Sequence, residues 1–143
     1  MSFTLTAKDY AEYIKLAYDL IHSKGDYITE LDSVTGDGDH WTNINMGFEN
    51  LVKNIDRLEV MGLSDEFKEI GKIMMSVIGG SSGVLYGSAY IAAAKVLKEK
   101  DALHDADLCA VLKAMLDAIV ARGQAKEGYK TMIDSLAPAV KKY

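Results

Sequence analysis

The chain has 143 residues, 49% of them apolar, a formal net charge of −5 and one cysteine, Cys109. That length fits one domain over residues 1–143, and the acidic balance argues against nucleic acid, which calls for a basic face. A lone cysteine excludes an intrachain disulfide and fits a reducing compartment, where it reads as a small core hydrophobe.

A single proline and abundant Ala, Leu, Lys, Glu and Met favour helix over sheet. Thr6 is placed to cap a first helix, with Asp9 three residues on. Tyr10, Tyr13, Ile14, Ala17, Leu20 and Ile21 recur at helical spacing, and Lys24-Gly25 ends the helix. Tyr10, Tyr13 and Tyr18 read as packing residues and His22 as a surface one. A short helical piece over 27–34 then carries Asp32 into the most unusual stretch of the chain, Leu31-Asp32-Ser33-Val34-Thr35-Gly36-Asp37-Gly38-Asp39-His40. The glycines let the backbone bend between Asp37 and Asp39, so Asp32, Asp37 and Asp39 can point at one spot. Converging carboxylates repel one another, and a hard divalent cation such as Mg²⁺, sharing its shell with a phosphate, relieves that repulsion. The alternative is a solvated Asp/Gly turn, and spacing alone leaves the two open. An EF-hand is the weaker alternative, because Ile44 and Asn45 stand where its last acidic ligand would fall.

A helix is expected from His40 to Arg57, with Ile44, Phe48, Leu51, Val52 and Ile55 as its apolar stripe. Its first turn, His40, Trp41, Thr42 and Asn43, puts polar groups and free N–H groups beside the acidic loop. Gly47 interrupts it and implies a close helix–helix approach. Ser64 is expected to cap the next helix, which buries Phe67, Ile70, Met74, Val77 and Ile78. Gly79-Gly80-Ser81-Ser82-Gly83 then reads as a Gly/Ser loop running into an Ala-rich helix, able to present N–H groups and hydroxyls to an anion. It lacks the lysine of a Walker loop, and taken alone it also reads as a flexible turn. Its pairing with the acidic loop is what favours the functional reading. After a polar turn over 101–107, with His104 exposed, Leu108, Val111, Leu112, Met115 and Ile119 mark a helix ending at Arg122-Gly123. A loop over 123–132 leads to a last helix with Ile133, Leu136, Ala137 and Val140. Pro138 conflicts mildly with that helix unless it falls in the first turn. The expectation is an all-α antiparallel bundle of about six helices without strands, the two unusual loops meeting at one end.

Taken together, Leu31-Asp32, Gly36-Asp37-Gly38-Asp39-His40, Asn43, Gly79-Gly80-Ser81-Ser82-Gly83, Leu85-Tyr86-Gly87-Ser88, Arg122-Gly123 and Gly128-Tyr129-Lys130-Thr131-Met132-Ile133-Asp134 resemble the ADP-binding (L) subunit of dihydroxyacetone kinases. Bacterial fatty-acid kinases share a similar acidic loop, but the Gly-Asp-Gly-Asp-His form points to the dihydroxyacetone branch. The resemblance implies a barrel of antiparallel helices with ADP or ATP at one end. It implies that Asp32, Asp37 and Asp39 hold two Mg²⁺ ions, and that His40, Trp41, Thr42 and Asn43 contact the nucleotide. Ser81 and Ser82 would cradle its phosphates, while Gly123 and Met132 would line the base and sugar. It further implies a cytoplasmic phosphotransferase of glycerol metabolism, homo-oligomeric and active only with a separate dihydroxyacetone-binding subunit. The donor would be ATP or a phosphotransferase-system protein. The acceptor's base would lie on the partner, in keeping with a reaction that needs positioning and charge neutralisation most. No membrane contact is expected, since no apolar run spans a bilayer and no secretory leader is present. Two departures stand out. Trp41 replaces a residue that is usually small in the family, and the family's later helices and glycine-rich lid do not appear in this sequence. The competing expectation is a binding module of the same fold that senses nucleotide or engages a regulator without turnover.

Overall fold

The computed structural model describes residues 2–143. Strand β1 (Thr4–Leu5) leads into α1 (Ala7–Ser23), followed by α2 (Gly25–Ser33), α3 (His40–Lys53), α4 (Ile55–Leu58), α5 (Leu63–Val77) and α6 (Gly80–Val96). Strand β2 (Leu103–His104), α7 (Asp105–Gly123) and α8 (Ile133–Lys142) complete the chain. The architecture is an all-α antiparallel bundle. Its helices pack in the spatial order α1, α3, α5, α6, α7, α8, with α2 resting chiefly on α3.

Thr6 caps α1 as its sequence position implies. Its hydroxyl accepts from the Asp9 N–H at 3.3 Å, and its own N–H donates to the Asp9 carboxylate at 2.9 Å, a reciprocal capping box. Between α5 and α6 the backbones touch. A Cβ on Gly71 would lie 2.7 Å from the Gly87 carbonyl oxygen, and one on Gly87 would lie 2.6 Å from that of Gly71. Gly47 likewise lies against the side chain of Ile78, the close approach its position in α3 implies. The main core collects Ile14, Leu51, Leu58, Leu63, Phe67, Ile70 and Leu97 from α1, α3, α4, α5 and the end of α6. A smaller cluster of Ala89, Ile119, Ile133 and Ala137 joins α6, α7 and α8.

Inside the main core lies Glu66, fully buried, with neither carboxylate oxygen hydrogen-bonded among the described residues. Desolvation pushes its carboxyl up to about 8. Nearby, the hydroxyls of Tyr10 and Tyr90 hydrogen-bond each other at 2.7 Å.

Several expectations are corrected. Gly25 opens α2 instead of closing α1. The helix after the acidic loop breaks at Asn54, whose N–H turns back to Leu51 and whose side chain donates to the Asn50 carbonyl at 2.8 Å. Ser64 caps nothing, because α5 begins one residue earlier with Gly62 as its N-cap; the Ser64 hydroxyl instead donates to the Ala94 carbonyl of α6 at 2.7 Å. The Gly/Ser stretch is no loop beyond Gly79, since α6 starts at Gly80. Pro138 is the sixth residue of α8, past the first turn where the missing N–H would be harmless. Cys109 is exposed on α7 and takes no part in the core. Two strands of two residues each pair antiparallel, Thr4 opposite His104 and Leu5 opposite Leu103. They are too short to show an alternating pattern.

Candidate functional site

The short helix α2 presents Asp32 in its last turn, and the backbone then folds back on that residue. The Asp32 carbonyl accepts from the N–H groups of Thr35 at 3.1 Å and Gly36 at 2.6 Å. Gly38 reverses the chain with φ of 78°, a conformation that costs glycine little and other residues more. The result carries Asp37 and Asp39 back toward Asp32. One carboxylate oxygen from each of the three lies within 4.8 Å of the others. None of the three forms an ion pair among the described residues, so their charges are uncompensated by protein. Asp39 precedes α3 as its N-cap residue, yet its side chain makes no capping bond and stays available. The His40 N–H instead donates to Oδ2 of Asp32 at 3.1 Å.

This donor set suits a small hard cation: three carboxylates from one tight segment, no thiol or imidazole among them, and room for water or phosphate oxygens on the exposed side of Asp37 and Asp39.

The acidic segment and the start of α6 meet. The hydroxyl of Ser82 lies 3.3 Å from His40 Nδ1. The Asn43 amide sits against Gly79, its Oδ1 2.7 Å from where a Cβ would stand. Among the described residues no side chain caps α6, so the first N–H groups of this 17-residue helix carry the positive end of its dipole without a capping partner.

On the other side of α6 opens a cleft of about 470 Å³, lined by Ser81, Val84, Leu85, Ile119, Arg122, Gly123, Ala125, Thr131, Met132 and Ile133. It thus brings together Ser81, Gly123 and Met132. Neighbouring serines divide the work: Ser82 faces His40 and Ser81 faces the cleft. The walls from Val84, Leu85 and Ile119 are apolar, as ligand clefts commonly are. The loop closing the cleft is held by Asp134, whose carboxylate accepts from the Gly128 N–H at 2.6 Å and the Thr131 N–H at 2.9 Å. The bond from Gly128, then that from Thr131, holds its carboxyl below the ordinary carboxylate range.

Of the segment His40–Asn43, only part faces this region. The Trp41 ring turns the other way, its Nε1–H donating to the Ile21 carbonyl of α1 at 3.1 Å. Thr42 is exposed, and Asn43 is half-buried against Gly79. Sequence reasoning passed over Arg122 and Asp134 as functional residues. Arg122 lines the cleft and donates from Nε to the Ser88 hydroxyl at 3.2 Å. In sequence it stands in the Arg122-Gly123 motif at the end of a helix, with no role of its own assigned to it. Asp134 reads as an ordinary first-turn acid, and only the conformation of the loop reveals that it organises residues 128–131.

The DAK2 domain matches residues 34–143. The chain is 36% identical over 123 residues to the ADP-binding subunit DhaL of the PEP-dependent dihydroxyacetone kinase 2 of Listeria innocua, covering 85% of this chain and 57% of that protein. It is 35% identical over 130 residues to the ADP-binding subunit DhaL of the PTS-dependent dihydroxyacetone kinase of Lactococcus lactis, covering 91% of this chain and 65% of that one. The chain therefore spans about three-fifths of the length of these bacterial relatives. Among solved structures it is similar to the crystal structure of the dihydroxyacetone kinase of C. freundii, with a TM-score of 0.77 and 28% identity. That likeness covers 92% of this chain and 24% of the other.

Proposed function

The chain belongs to the DAK2-domain family, and from that premise we propose that it is the nucleotide-holding part of a dihydroxyacetone kinase. It binds ADP or ATP with Mg²⁺ and presents the terminal phosphoryl to dihydroxyacetone held on a separate subunit. The observation that carries this reading is the convergence of the Asp32, Asp37 and Asp39 oxygens within 4.8 Å beside the uncapped start of α6. The chain's net charge of −5 opposes a polyphosphate, and a cation held by those three carboxylates would offset that repulsion. Mg²⁺ bound there, as one ion or two, supplies neutralisation of the phosphate charge.

The chain's own residues do the rest. The first-turn N–H groups of α6, with the hydroxyls of Ser81 and Ser82, meet phosphate oxygens at the positive end of the helix dipole. His40 is positioned by its bond to Ser82, and the backbone of Trp41, Thr42 and Asn43 lines the phosphate side. Gly123 leaves room in the cleft for a base, and Met132 with Leu85 and Ile119 gives it apolar walls. The Arg122 guanidinium, steadied by Ser88, adds a cation at the rim. No residue here serves as base for the acceptor hydroxyl; that group belongs to the partner. The donor is either exchanged ATP or a phosphotransferase-system protein that rephosphorylates bound ADP, and the setting is the cytoplasm.

The test is titration of ADP into the purified chain with and without Mg²⁺, followed by mixing with a dihydroxyacetone-binding subunit, dihydroxyacetone and each donor. Mg²⁺-dependent binding and formation of dihydroxyacetone phosphate are expected. Binding without turnover under either donor would overturn the kinase role and leave a nucleotide-binding module. Binding indifferent to Mg²⁺ would remove the metal assignment.

A further inference from the structure

Helix α2 carries Asp32, yet none of its nine residues is fully buried. Nine residues form a marginal helix without tertiary support, and α2 leaves Tyr27 and Leu31 exposed. Burial of an apolar face therefore does little to hold it. Two consecutive residues of α3 hold it instead, one at each end. At the far end the His40 N–H donates to Asp32 at 3.1 Å. At the near end the Trp41 indole lies flat against Gly25, the first residue of α2; a Cβ there would stand 2.9 Å from Cε2 and 3.0 Å from Cζ2. The same indole donates to the Ile21 carbonyl at 3.1 Å, in the last turn of α1, and so ties down the junction from which α2 departs. Its ring centroid lies 6.5 Å from that of His22, which is itself 3.1 Å from Asn45 of α3.

We infer that Trp41 is a positioning residue: it clamps α2 onto α3 and α1, and thereby sets where Asp32 stands relative to Asp37 and Asp39. The inference rests on the reading of those carboxylates as a metal site. The ring acts through α2 and touches neither the acidic cluster nor the cleft. Because only glycine fits beneath the indole, Gly25 and Trp41 form one device, and disturbing either partner shifts the same helix.

The test compares wild type with Trp41→Ala, Trp41→Phe and Gly25→Ala. Each is followed by amide hydrogen exchange resolved along the chain and by titration with Mg²⁺ and ADP. Trp41→Ala is expected to speed exchange across 25–33 at least tenfold while leaving 63–77 and 80–96 unchanged, and to weaken Mg²⁺-dependent ADP binding about tenfold. Trp41→Phe, which keeps a ring but loses the donor, should recover most of both. Gly25→Ala pushes the ring from the opposite side and should reproduce Trp41→Ala even if that variant folds poorly. Folded variants with wild-type exchange in α2 would overturn the clamp. Faster α2 exchange with undiminished Mg²⁺-dependent binding would overturn its role in placing Asp32. If wild type binds no Mg²⁺, the metal reading fails, and unchanged α2 exchange in Gly25→Ala would overturn the clamp separately.

Discussion

Helices α5 and α6 touch through bare backbone at Gly71 and Gly87, whereas α2 has no fully buried residue and is held at its two ends by the Trp41 indole and the His40 N–H. The first contact leaves no slack, since backbone atoms cannot rotate away from an intruding group. The second rests on side-chain contacts, which a single substitution can release. The uncapped start of α6 thus sits on the rigid pair, and the converging acids sit on and beside a helix with no fully buried residue. Three like charges brought together without a counter-ion strain whatever holds them, and a helix with little buried surface can relax where a packed one cannot. The contrast separates a platform from an arm.

Gly87→Ala should break the platform with the largest effect. The added Cβ meets the Gly71 carbonyl oxygen at 2.6 Å, and overpacking of this kind costs roughly 3 kcal/mol, outweighing the roughly 1 kcal/mol by which Ala improves helix propensity. Urea denaturation should show that loss, while Mg²⁺ affinity per folded molecule stays near wild type.

Glu66→Gln tests the platform's one weakness. Burial holds the folded carboxyl near 8 against an ordinary 4.5, so the native state keeps a proton that the unfolded chain has released. Stability is therefore full below about pH 4.5 and drains as the pH rises toward 8. Glu66→Gln should flatten that slope and gain roughly 2 kcal/mol over wild type at pH 8.5, read by thermal denaturation across the pH range. A wild-type profile flat from pH 5 to 8.5 would show that the carboxyl is solvated or paired.

Asp37→Asn sharpens the contrast from the side of the arm. It should weaken Mg²⁺-dependent ADP binding at least tenfold while leaving stability unchanged or slightly raised, since it relieves repulsion among exposed acids. Equal calorimetric affinity in both proteins would dismiss the metal site. Asp134→Ala has the smallest expected effect, a few-fold loss of ADP affinity with faster exchange at Gly128 and Thr131. Its bonds persist above the ordinary carboxylate range, so wild type should approach the variant only as the pH falls below about 3.8.

Helical periodicity made the all-α architecture legible, because apolar residues at three- and four-residue spacing admit one buried face. The meeting of the acidic segment with the Gly/Ser stretch was also legible, from two motifs that each want an anion or its counter-ion. Helix ends were less so. Ser64 looks like a cap in sequence, but a carbonyl across the groove, that of Ala94, outcompetes the local N–H. Glu66 looks like a solvated first-turn acid, and nothing local announces that α1 and α6 cover it. Cys109 sits among apolar neighbours in sequence yet on the uncovered side of α7. The direction of the Trp41 ring depends on Gly25, sixteen residues earlier, and such a pairing has no sequence period to betray it.

The exposed thiol of Cys109 on α7 and the only tryptophan, Trp41 on α3, lie on opposite sides of the central α5–α6 pair in the packing order. A fluorophore coupled to that sulfur would turn the unmodified sequence into its own molecular ruler. Energy transfer from the indole would then report whether the two flanks approach when ligand enters, with no engineered label site.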